Sequence, residues 1–370
     1  MKVLLVNQCM VIGGTEKLIK DICEYYDRDK IDLYLATDEK GIWDKDVDSK
    51  VVKHFYFEKI KERYNTFDKI MKHFFHKPLY KTLEEEFDVC IIYKESLYDH
   101  IQYVKAKKYI LWAHEDYYYN KLKYMKGAWW KLPILLSLKR QYLKKYDAIV
   151  ACTENTRESY EKYHKIKNVK VITNSINELE ISTLSNEEIN LPNDFKNNYI
   201  VNVNSLSERK RVDLLVDLFY ECLQKDSSLK LVIIGDGDCR QIVEERIAYY
   251  NIAESCLLFG ETSNPFPYIK HATMMVSAAY HESYGLSVAE AMYFGVPCVC
   301  LYNRGVAGFI ENGINSITAN SNEEFIKEVL KINSNEEYRQ MLAENAKISM
   351  GKLSDIKGYV KRVEDFIFNI

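Results

Sequence analysis

Short, almost continuous apolar runs alternate along the chain with longer segments whose apolar positions recur every three or four residues. "KVLLVNQ", "DLYLATD", "DVCIIY", "KYILWAH", "DAIVACT" and "VKVITNS" are such runs in the first half; "YIVNVNS", "LKLVIIGDG", "CLLFG", "MMVSAAY" and "PCVCLY" continue the series in the second. A run that is apolar at nearly every position fits a strand buried on both faces. "TEKLIKDICEYY", "RVDLLVDLFYECLQK" and "CRQIVEERIAYYN" carry helical spacing between them. This alternation predicts an α/β protein, most economically two Rossmann-like doubly wound domains. The polar stretch at 177–198 lacks strand periodicity and is the best boundary. It gives one domain over 1–180 and a second over 195–350. "DIKGYVKRVEDFIFNI", about 355–370, reads as one amphipathic helix, expected to pack back on the first domain. Ligands in such sheets gather at the carboxyl ends of the strands, and with two domains the default site is the cleft they face.

Composition narrows the class. The chain has 370 residues, 47% of them hydrophobic and 28% charged, enough for large cores. Net charge is −3, but residues 1–180 carry +5 and the remainder −8, so the two halves are expected to meet different partners. The nine cysteines are scattered; Cys298 and Cys300 form the tightest pair, which is not a zinc or thioredoxin spacing, so they read as buried thiols in a reducing compartment. The apolar N-terminal run is too short for a signal peptide, and no stretch reaches the length of a membrane span. A cytoplasmic protein is expected.

Candidate chemistry sits where strands end. In "NQCMVIGGTEK", Gly13 and Gly14 would let backbone approach a ligand at a helix start, or form a simple turn. "LWAHED" ends a strand on His114, which could hydrogen-bond a hydroxyl, stabilise developing charge, or be structural. "SLSERKRVDLL" places Arg209, Lys210 and Arg211 at a helix start, where cations oppose the dipole; an anion site explains them better than a solvated turn does. Gly235, Asp236 and Gly237 in "IIGDGDCRQ" fit turn geometry alone, and "DGD" is not assigned as a metal site. In "HESYGLSVAEAMYFGVPCVC", Glu282 follows a strand and Glu290 lies in a helical run. Ser287 with Glu290 spells a capping box, which leaves open whether Glu290 serves a ligand or only a backbone N–H.

The two glutamates separated by seven residues, the Gly between them and "EAMYFGVPCV" behind them resemble glycosyltransferase family 4, retaining enzymes with the two-domain GT-B fold. "FGETSNPFPYIKHATMMVSAAYHES", the Gly-Gly-x-Glu after the first strand, His114, "ITNSIN" and "IIGDG" fall in the family's order. The likeness is strongest over 200–320. It implies that Glu290 binds ribose hydroxyls and Glu282 the donor sugar. It places backbone around Gly285 and Leu286 near sugar or phosphate oxygens, with Ser283, Tyr284 and Ser287 in the same loop and helix start. Lys210 would neutralise the diphosphate, with Arg209 beside it. Gly14 would approach phosphate or acceptor, and Gly235 belongs to the same donor set. His114 would lie near the reacting sugar, and Asn264, Pro265 and Phe266 would line the base pocket. His114, Lys210 and Glu282 are the implied catalytic residues. The family's arginine five residues before the lysine is Ser205 here.

The expected activity is therefore transfer of a hexose or N-acetylhexosamine from a nucleotide sugar, with UDP expected from the family's frequency of use. The expected acceptor is a glycan or lipid-linked saccharide in cell-surface polysaccharide synthesis. No cofactor or metal is called for, because Lys210 and helix N-termini can hold the departing anion. Two alternatives stand beside this: a non-catalytic GT-B partner subunit, kept open by Ser205, and a sugar-nucleotide epimerase. Residues 53–81 and 121–145 are basic and aromatic, and the second holds eight Lys/Arg without an acid. They suit peripheral contact with an anionic membrane surface, or helices packed on a sheet with snorkelling lysines. Nucleic acid is a poor partner for a slightly acidic chain.

Overall fold

The computed structural model describes residues 1–60, 80–114, 132–195 and 198–370. The chain divides into two units: Met1–Asn174 with Lys357–Ile370, and Ser175–Ile356.

The first unit is built on β1 (Lys2–Asn7), β2 (Asp32–Thr37), β3 (Lys53–Tyr56), β4 (Glu86–Ile92), β5 (Lys105–Ala113), β6 (Ala148–Ala151) and β7 (Lys170–Val171). They lie in the order β3-β2-β1-β4-β5-β6-β7, every pair parallel. The chain works outward from β1 to one edge, then returns beside β1 with β4 and runs to the other. That reversal leaves the loops after β1 and β4 diverging. The helix Ile356–Phe368 belongs almost wholly to this unit. Its Tyr359 hydroxyl lies 2.8 Å from that of Tyr93, and both rings are fully buried. Glu364 accepts the backbone N–H of Asp27 at 2.6 Å.

The second unit holds β8 (Ile200–Val203), β9 (Leu231–Ile234), β10 (Cys256–Gly260), β11 (Met274–Ser277), β12 (Cys298–Leu301) and β13 (Ile317–Ala319), in the parallel order β10-β9-β8-β11-β12-β13. Alternate residues of one strand enter opposite cores. Leu231 and Ile233 join one apolar cluster and Val232 and Ile234 the other; Met274 and Met275 divide in the same way. Both faces are covered, which is why these strands read as continuous apolar runs. Here the reversal falls between β8 and β11.

The α/β expectation holds: the chain forms two parallel sheets, of seven and six strands. The boundary differs in detail. The stretch 177–198 is no linker. It forms the helix Glu178–Leu184, capped by the Asn177 side chain on Glu180 N, and buries Ile181, Leu191 and Phe195 in the second unit. A few apolar anchors in a polar segment suffice to dock it. Residues 61–79 of the first basic stretch and 121–131 of the second lie outside the described residues. In the described remainder of the second, Tyr142 and Leu143 join the core and Lys139 is buried, while Lys144 and Lys145 are exposed.

Candidate active site

The β8–β11 reversal brings together segments 74 residues apart. Ile200 pairs with Met274 and Val201 with Met275, so the loops leaving these strands emerge side by side. The loop after β8 ends in a single 3-10 turn, Glu208–Lys210, and Arg211 then adopts a left-handed conformation (φ 50°) before the helix Val212–Leu223. The loop after β11 carries Glu282. Arg209 Nη1 donates to Glu282 Oε2 at 3.3 Å and to the His281 carbonyl at 2.7 Å, and Lys210 Nζ bonds Glu282 Oε1. Each carboxylate oxygen thus meets one cation. Glu282 is only 6% exposed. Burial pushes its carboxyl up, but Lys210 and then Arg209 outweigh this and hold it below the ordinary value. A buried carboxylate is tolerable only when paired in this way.

Three residues on, Gly285 is left-handed (φ 87°), and a Cβ there would come within 2.8 Å of Val306 Cγ1. Glycine is required on both counts. It opens the helix Leu286–Tyr293, which has no side-chain cap. Its first-turn N–H groups have no intrahelical partner and point out of the helix end. This overturns the capping box. Because Gly285 already turns the chain, Ser287 is inside the first turn, with helical backbone, and cannot act as the cap. Glu290, 6% exposed, is buried on this helix, five residues beyond its Gly285 cap.

The other expected residues divide. Ser283, Leu286 and Ser287 are partly exposed around the same helix start. The Tyr284 ring is buried against Phe309, with centroids 5.1 Å apart, so the side chain serves the core. Asn264 is spent locally: its Oδ1 accepts from Phe266 N at 3.2 Å and its Nδ2 donates to the Leu184 carbonyl at 2.9 Å. Pro265 precedes the short helix Phe266–Lys270, and the Phe266 side chain is buried. Gly235 supports the neighbouring loop, since a Cβ would fall 2.0 Å from the Asn204 carbonyl oxygen. Asp236 pairs with Arg240 at 2.9 Å. Ser205 is exposed, 3.4 Å from the Ser207 hydroxyl.

Gly14 and His114 belong to the first unit. Gly14 begins the helix Gly14–Tyr25 behind Gly13. His114 follows β5, buried beside the Tyr93 ring at 4.9 Å, and its Nε2 has no hydrogen-bond partner among the described residues. Burial and then the Lys94 charge push its pKa down to about 3, so the ring is neutral at neutral pH. It can exchange a hydrogen bond with a hydroxyl but does not supply a resident positive charge.

Three neighbours escaped the sequence reading. Gly305 lies against Glu282, where a Cβ would be 2.2 Å from the Glu282 carbonyl oxygen. In the first unit, buried Glu16 accepts from Asn7 Nδ2 at 3.2 Å and lies 3.7 Å from Lys94 Nζ, close to Gly13. Glu16 was visible only as the acid of Gly-Gly-x-Glu. Lys94 and Gly305 follow apolar runs and carry no further local signal. Among the described residues no cluster of His, Cys, Asp or Glu is arranged to hold a metal ion, and no helix is long and apolar enough to cross a membrane.

Two family models match the chain: Glycosyltransferase Family 4 over residues 12–178 and Glycosyl transferases group 1 over residues 185–349. An uncharacterized glycosyltransferase of Methanocaldococcus jannaschii is 29% identical over 198 residues, covering 52% of this chain and 47% of that protein. Alpha-monoglucosyldiacylglycerol synthase of Acholeplasma laidlawii is 28% identical over 160 residues, covering 43% and 39%. The matched stretches therefore span less than half the length of either relative. Among solved structures, Anabaena HepE in complex with UDP and glucose superposes with a TM-score of 0.76 at 15% identity, covering 100% of both chains.

Proposed function

Since the chain belongs to glycosyltransferase family 4, we propose that it is a retaining transferase moving a hexose or N-acetylhexosamine from a UDP-sugar to a saccharide or lipid-linked saccharide acceptor. The observation that carries this is the meeting of Lys210 and Arg209 on the buried Glu282, beside an uncapped helix start. A site that gathers two cations and free N–H groups around one carboxylate suits a ligand with both a diphosphate and sugar hydroxyls. UDP bound to HepE and the glucosyl transfer named for the Acholeplasma relative support the donor class.

In this mechanism the bond between the anomeric carbon and the diphosphate oxygen breaks, and UDP leaves with the electron pair. Lys210 and the N–H groups from Gly285 onward receive the growing negative charge. Glu282 accepts hydrogen bonds from sugar hydroxyls and Glu290 from the ribose. Asn264, Pro265 and Phe266 meet the base through backbone, while Gly235 holds the adjoining loop. Gly14 and the neutral His114 serve the acceptor and the reacting sugar. The acceptor hydroxyl adds on the face the diphosphate leaves, and its proton passes to the departing phosphate oxygen. The first unit is the acceptor-binding half. Attachment to anionic membrane through residues 53–81 and 121–145 belongs to the same proposal, and equal cosedimentation with neutral and anionic vesicles would count against it.

The direct test is UDP release from a panel of UDP-sugars. Lys210→Ala is expected to slow release at least 100-fold with little loss of UDP affinity, the pattern of an interaction made mainly in the transition state. Binding of a UDP-sugar without release, even with acceptors supplied, would support instead the partner-subunit reading that Ser205 keeps open. Isomerised donor would indicate an epimerase.

A further inference from the structure

Resting on the donor reading above, we infer that Arg209 is a positioning residue that fixes the Glu282 carboxylate, and that it does not replace the diphosphate arginine whose place Ser205 takes. Adjacent side chains ordinarily diverge, yet Arg209 and Lys210 reach the same carboxylate. The 3-10 turn at Glu208–Lys210 and the left-handed Arg211 fold the loop back and make this possible. Arg209 then binds three consecutive residues of the opposite loop. Its backbone carbonyl accepts from Tyr280 N at 3.0 Å, and its Nη1 donates to the His281 carbonyl at 2.7 Å and to Glu282 Oε2 at 3.3 Å. The first bond is made by the Arg209 backbone; the side chain itself makes the other two, and the shorter of these goes to a backbone carbonyl, a contact that a ligand-gathering guanidinium has no need to make. They stitch the loop after β8 to the loop after β11, so the orientation of the guanidinium is set by protein rather than by an incoming anion. Lys210 holds the other carboxylate oxygen. Arg209 is the more exposed of the two cations, at 29% against 12% for the side chains, but its bonds run inward to the strand end.

This arrangement predicts how the two halves of the donor separate. If Arg209 orients Glu282, its loss weakens contact with the sugar and leaves the nucleotide diphosphate alone. The probes are UDP and UDP-glucose, titrated calorimetrically against the full chain. Arg209→Ala is expected to weaken UDP-glucose about tenfold, the scale of one charge-assisted hydrogen bond, with UDP affinity unchanged within about twofold. Arg209→Lys should recover only part of the loss, because an ammonium lacks the planar fork that fixes the pair. Equal weakening of both ligands would make Arg209 a diphosphate contact and overturn the inference, as would no weakening of either. Failure of the donor reading shows separately, as absence of UDP binding by the unaltered chain. A double-mutant stability cycle of Arg209→Ala with Glu282→Gln then decides the clamp: a non-additive loss supports it, and simple additivity overturns it.

Discussion

Glu282 and Glu290 look alike in the sequence, but the structure separates them. Glu282 is a buried ion shared between two cations; Glu290 is a buried carboxylate on a helix whose cap is a glycine. Glu290→Ala is expected to weaken UDP binding by roughly 10–100-fold, the range for hydrogen bonds to a charged group, with a melting temperature close to that of the parent. Unchanged UDP affinity would leave Glu290 without a role in the donor site. Glu282 has a pH signature as well. Its pKa is depressed in the folded protein, so its stabilisation is present above the unfolded value of about 4.3 and is lost as pH falls through the folded value. Glu282→Gln leaves the two cations without a counter-charge, and at neutral pH should cost about 3–5 kcal/mol. In urea titrations that deficit should shrink as pH falls below the unfolded value of about 4.3 toward the depressed folded value, where the parent loses the same carboxylate charge. Glu282 was legible because nothing local accounts for an acid at that strand end. The helix start was not legible, because S-x-x-E predicts a cap only if the helix starts at the serine, and one left-handed glycine, Gly285, moved the start.

Eleven strands stand out as apolar runs, while β3 and β13 do not, and the reason lies in their burial and length. β3 is an edge strand of four residues with none fully buried, and β13 is an edge strand of only three residues, all buried. A strand with little burial carries little apolar signal, and three residues are too few to show a period against their surroundings. The pairing of loops was also hidden. Strand order, not sequence proximity, sets the loop after β12 against Glu282. Gly305→Ala would press a Cβ into the Glu282 carbonyl oxygen, whereas a Cβ at Gly308 meets nothing within 4 Å. Gly305→Ala should therefore lower the melting temperature and UDP-sugar turnover together, and Gly308→Ala should leave both near parental values; similar behaviour of the two would remove the contact from the argument. In the first unit, His100 ties two elements: its Nε2 lies 2.8 Å from Asp38 after β2, and its Nδ1 3.3 Å from Asp99. Burial opposes its charge, but the two carboxylates prevail and raise its pKa to about 9. The stabilisation is full below the unfolded value of about 6.5 and is lost as pH rises through about 9, on the order of 3 kcal/mol in all. Denaturation at pH 6 and pH 9.5 should show this slope, and His100→Asn should flatten it.

Across the whole molecule, the chain leaves the first unit after Asn174 and rejoins it at Lys357. Residues 175–356 alone are expected to give a folded fragment with a cooperative melt, because both of their apolar clusters are internal. Residues 1–174 alone would leave the Tyr93 hydroxyl and the seat of the C-terminal helix without their partner, and should be aggregation-prone or poorly cooperative. Cooperative melting of the 1–174 fragment would show that the returning helix is dispensable. The same threading sets a schedule for biosynthesis. Domains usually mature in the order they leave the ribosome. Here the later unit has all its parts while the earlier one still waits for Tyr359 and Glu364 to emerge. The nascent first unit must therefore be kept from aggregating for the whole time that some 180 further residues are translated, tens of seconds at the slower elongation rates of about 5 residues per second. The last helix is thus a timing device as well as a structural one.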